Sequence, residues 1–90
     1  MITQSNIDNL YRIASNLAMQ DYLRMNPRNK NGKPKYKKHR PYSLSAETLE
    51  AQELYAIATK CEQDITQAEK EKIKAYLLKI KLVRPELLAI

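Results

Sequence analysis

Eighteen consecutive residues, 26–43, hold no Leu, Ile, Val or Met in a chain of only 90. A segment with nothing apolar to bury cannot supply an element of a packed core, because burial is what offsets the entropy of ordering a chain. Within it Asn26, Pro27, Asn29, Asn31, Gly32, Pro34 and Pro41 break any helical or strand period. Residues 26–44 are therefore expected as an exposed loop or arm, flexible and in contact with water. Loops of this length in small domains are usually functional or disordered.

The core must then come from the two flanks. The first flank predicts a helix over 6–25. Ser5 and Asp8 have the spacing of a helix start, and Ile7, Leu10, Tyr11, Ala14, Leu17, Ala18, Tyr22 and Met25 recur at intervals of three and four. Asn26-Pro27 ends it, since a residue before proline is pushed out of the helical region.

The second flank predicts two more helices, over 46–62 and 67–83. Ser45 caps the former, Leu44 and Leu49 have the spacing of a hydrophobic staple, and Leu54, Tyr55, Ile57, Ala58 and Cys61 continue an apolar stripe. Thr66 and Glu69 form a capping box for the latter, whose buried stripe is Ile73, Tyr76, Leu77 and Ile80. Lys79, Lys81 and Arg84 suit the negative end of that helix, and Pro85 stops it. The apolar tail 85–90 is expected to close the bundle. Few β-branched runs and a single Gly disfavour a β fold. The expected fold class is all-α: one domain over 1–90, a small three-helix bundle with a long basic loop between helices one and two.

Charge points to the loop as the contact surface. Arg28, Lys30, Lys33, Lys35, Lys37, Lys38 and Arg40 carry seven positive charges with no acid among them, against a chain total of +6, so everything else sums to −1. Charge concentrated in one tract makes a local field that attracts a polyanion. Tyr36, His39 and Tyr42 lie in or beside the tract, and rings interleaved with cations suit single-stranded nucleic acid, whose bases stack while its phosphates are neutralised. Lysine outnumbers arginine five to two there, which favours phosphate contact over base reading. The same run could serve as an import signal, meet an acidic protein surface, or act for solubility alone.

The chemistry of catalysis finds little to work with. One Cys and one His are too few for a structural zinc site, and a single Gly cannot build a glycine-rich phosphate loop. Cys61 is expected to be a core thiol, and a Cys61–His39 nucleophile–base pair is far less favoured. Asp21 and Glu53 could pair as carboxylates only by an accident of folding. Helices two and three raise a helix-turn-helix, but the start of helix three offers Gln67, Glu69 and Lys70, a poor set of base readers.

The longest apolar run, Leu54–Ala58, is far short of a membrane span, and the N-terminus has no pattern of a secretory leader. With one cysteine, a reducing cytoplasm is the expected compartment. The leading expectation is a non-catalytic, cofactor-free protein that places its Arg28–Arg40 arm on the phosphate backbone of DNA or RNA, with homodimerisation as an option and no membrane partner. The rival is a protein–protein adaptor or inhibitor that docks the same arm on an acidic partner, or the Leu87/Leu88/Ile90 tail in an apolar groove.

Overall fold

A computed structural model of the chain describes residues 2–38 and 40–88. It contains three α-helices, α1 (Gln4–Met25), α2 (Ala46–Ala58) and α3 (Gln67–Val83), with short 3₁₀ turns at Glu62–Asp64 and Pro85–Leu88. Among the described residues there is no strand, only an isolated bridge between Arg28 and Pro34.

Helix α1 starts two residues earlier than the Ser5 signal implied. Thr3 is its cap: the Thr3 hydroxyl accepts from the Asn6 N–H at 3.1 Å and the Asn6 carboxamide oxygen accepts from the Thr3 N–H at 3.0 Å. This closed pair satisfies two end donors at once. The earlier start also leaves Ile2 and Ile7 five residues apart across the cap, both packed against the same core cluster. The buried face is rotated from the expected one. Leu10, Ile13, Leu17 and Asp21 are buried, while Tyr11, Met25 and Met19 stay substantially exposed.

Helix α2 is capped by Ser45, whose hydroxyl accepts from Thr48 N–H at 3.3 Å. It ends at Ala58, four residues before the expected boundary, and the chain then turns through Glu62–Asp64 and buries Ile65. That early exit removes Cys61 from the apolar stripe: it is an exposed thiol and not a core one. Leu49 is exposed too, because the third and sixth residues of α2, Thr48 and Ala51, take the inward positions.

Helix α3 begins at a complete capping box, in which Thr66 accepts from Glu69 N–H at 3.1 Å and Glu69 accepts from Thr66 N–H at 2.9 Å. That backbone donor, with lesser help from Lys60, holds the Glu69 carboxyl below the ordinary range.

Two clusters stacked along the axis form the core. Ile13, Leu17, Ala51, Ile80 and Leu87 make one, and Leu10, Leu54, Ala58 and Ile73 the other. Since Leu10 meets Leu54 and Ala58 while Asp21 meets Ser45 and Thr48, α2 runs antiparallel to α1. Ile73 and Ile80 fall beside Leu10 and Leu17 respectively, so α3 runs parallel to α1. Leu87 is fully buried, and its carbonyl accepts from the Asn16 carboxamide at 2.7 Å. The Pro85–Leu88 turn thus closes the bundle, and Leu87 is not available for an outside groove; Ala89 and Ile90 lie outside the described residues. Tyr76, packed between both clusters, has its hydroxyl pushed up by burial and then by Glu50 and Glu47. No described helix is long and apolar enough to cross a membrane. The radius of gyration, 15.3 Å, exceeds the roughly 12 Å of a compact domain of this length. A 22-residue helix beside a non-helical excursion makes that shape.

Candidate nucleic-acid interface

Residues 26–45 connect the C-terminus of α1 to the N-terminus of α2, and the segment is not featureless. Two buried polar side chains at the end of α1 fix where it leaves and returns. Asn26 caps α1, its N–H donating to the Tyr22 carbonyl at 2.9 Å. Its carboxamide oxygen accepts from the Arg40 N–H, and its NH₂ donates to the Arg40 carbonyl at 2.9 Å. One amide side chain therefore pairs with the peptide of Arg40 much as a neighbouring strand would. Five residues earlier, Asp21 accepts from the Ser45 N–H at 2.9 Å and the Thr48 hydroxyl at 2.6 Å through Oδ2, and from Arg24 at 2.9 Å through Oδ1. The bond from Thr48, followed by that from Ser45, outweighs desolvation and holds the Asp21 carboxyl below its ordinary value.

Between these anchors the chain folds into a small hairpin. The Gly32 N–H donates to the Asn29 carbonyl at 2.9 Å, Asn29 N–H to Lys33 at 2.7 Å and Lys35 N–H to Pro27 at 2.9 Å. Gly32 sits at φ +80°, the left-handed position that a turn followed by a bulge requires and that glycine adopts without steric cost. Lys30 and Lys33 flank this turn, and Arg28 donates to the Gly32 carbonyl at 3.3 Å.

The described members of the expected site, Arg28, Lys30, Lys33, Lys35, Tyr36, Lys37, Lys38, Arg40 and Tyr42, are all exposed; His39 lies outside the described residues. None of the seven cations is within ion-pair distance of a described carboxylate, in contrast to Arg84, which meets Glu47 at 2.6 Å and Glu86 at 3.4 Å. The aromatic rings are already engaged. Arg40 stands 5.0 Å and Lys35 6.0 Å from the Tyr36 ring centre, and Tyr42 meets Tyr22 edge-on at 5.4 Å.

Asp21, Tyr22 and Asn26 are named by the sequence in other roles, and their part in seating this segment is what sequence reasoning missed. Asp21 could have been found, since it continues the Leu10–Ile13–Leu17 spacing onto a carboxylate. Asn26 read only as a helix stop. The Asn26→Ala variant is expected to raise tryptic cleavage within 28–40 severalfold while leaving the helical circular dichroism nearly unchanged; an unaltered cleavage rate would mean that something other than this amide holds the neck of the hairpin. Comparison with known protein families, curated proteins and solved structures found no match for the chain.

Proposed function

We propose that this protein is a non-catalytic binder of nucleic acid, acting through the basic segment on the phosphate backbone. One observation carries the reading: seven cations within thirteen residues, exposed and with no ion pair to a described carboxylate. Charges already neutralised internally would add no counterion release on binding a polyanion, whereas free ones do. The hairpin framework supports the reading further, because cations on a pre-folded support lose less entropy on docking than those on a disordered tail. The engagement of Tyr36 and Tyr42 by Arg40 and Tyr22 moves the weight from base stacking to phosphate contact.

A salt-titrated gel shift tests it. If all seven cations meet phosphates of a duplex, log Kd should change with log salt at a slope of magnitude about 6. Replacing Lys35, Lys37 and Lys38 together with alanine should lower that magnitude to about 4 and weaken binding at low salt by at least about tenfold. Absence of binding by the unaltered protein at low ionic strength would dispose of the proposal.

A further inference from the structure

Helix α3 carries a second apolar stripe, on the side turned away from the core. Ile73 and Ile80 point inward and are buried, whereas Leu78 is 58% and Leu82 74% exposed. With Ala75, also exposed, they fall at spacings of three and four, which places them on one helix face. A solvent face needs no leucines, and two leucines one turn apart at such exposure form the kind of patch that marks a contact surface. Lysines border it on both sides. Lys74 and Lys81 lie along one flank and Lys72 and Lys79 along the other, and none of the four makes an ion pair with a described carboxylate. Glu71 and Lys74 have i,i+3 spacing but do not pair either.

We propose that this face of α3 docks an acidic amphipathic helix of a partner protein, which lays its apolar seam on Leu78 and Leu82 and sets its carboxylates against the flanking lysines. Charge selects that occupant. A second copy of the chain would bring the same lysines against one another, a like-charge arrangement that costs free energy along the whole edge. A partner helix with acids at its borders meets opposite charge on both sides of the seam, as paired helices do in water. The surface is separate from the basic segment, so this inference does not rest on the function proposed above.

The probe is a peptide of about three heptads with Leu at a and d and Glu at e and g, and a twin with Lys at e and g serves as control. Titration monitored by fluorescence anisotropy should give a Kd in the micromolar range for the glutamate peptide and at least about tenfold weaker binding for the twin. The double variant Leu78→Ser/Leu82→Ser should lose at least about tenfold in affinity. Both leucines are exposed, so its thermal melt should match the unaltered protein and keep the comparison fair. The Lys35→Ala/Lys37→Ala/Lys38→Ala variant should bind the peptide within about twofold of the unaltered chain. Any one of four results overturns the proposal: no binding of the glutamate peptide, equal binding of its twin, full affinity in the leucine variant, or loss confined to the lysine variant of the hairpin. Sedimentation showing a dimer that the leucine substitutions dissolve, or capture by phosphatidylserine vesicles that they abolish, would also overturn it and assign the face to a second copy or a lipid surface.

Discussion

Replacing Ile73 with alanine is expected to cost about 3–4 kcal/mol and to lower the melting temperature by roughly 15–20 °C. Ile73 is fully buried against Leu10, Leu54 and Ala58, so it is where all three helices meet. The substitution removes three carbon atoms' worth of burial and leaves a void that the two leucines can only partly close. Domains of this size hold about 5–15 kcal/mol in total, so the loss is a large share of the whole. Thermal denaturation followed by circular dichroism gives the number. Leu78→Ala is the companion measurement, since that leucine stands on the opposite side of the same helix at 58% exposure and should shift stability by no more than about 0.5 kcal/mol. Equal effects at the two sites would mean that the inward face of α3 has been misassigned.

The second large effect is at Asp21. Asp21→Ala is expected to lower the melting temperature by on the order of 10 °C. Three donors converge on this carboxylate: the Ser45 N–H, the Thr48 hydroxyl and the Arg24 guanidinium. Alanine would strand the Ser45 N–H at the entry to α2, where an unpaired donor costs more than a bond is worth, and would leave the Thr48 hydroxyl only the Ser45 hydroxyl, 3.0 Å away, as partner. Asp21→Asn keeps one acceptor oxygen and should fall between the two. The pH dependence identifies the charge itself. The folded carboxyl titrates below the ordinary value of 3.8, so the stabilisation is complete above that value and is lost as pH falls from about 4 through the folded one. The unaltered protein should therefore lose stability on acidification below about pH 4 more steeply than either variant. Parallel acid profiles for all three would show that the ionised form contributes nothing.

These two residues also show what could be read from the chain and what could not. Helix α3 was legible because its boundaries are written in local chemistry: Thr66 with Glu69 at one end and Pro85 at the other. Helix α1 was legible as a helix but not in its orientation. Leu10 and Leu17 are compatible with either Tyr11, Ala14 and Ala18 or Ile13 as neighbours, and apolar residues cover so wide an arc that only the packing of α2 and α3 selects among them. The start of α1 slipped for a related reason, since Ser5 and Thr3 both have capping side chains and the reciprocal bond from Asn6 decides. Cys61 went astray because no glycine or proline marks the end of α2; the chain leaves the helix there to bring Ile65 under cover, a demand set by the return of α3. Of the candidate site, the cations were plain from sequence, being defined by charge alone. Their support was not, because Asn26–Arg40 and Asp21–Ser45 are bonds between residues 14 and 24 positions apart, and no local pattern announces them.

The clamp between Asn26 and Arg40 has a consequence for how the chain can vary. The backbone departs from the bundle and rejoins it across the width of one side chain, so everything between is a pendant hung from a single point. Lengthening such a pendant costs only about 0.6 kcal/mol for each doubling, and none of the three helices has to repack. The same scaffold could therefore carry an excursion of another length or another chemistry while its core stayed as it is.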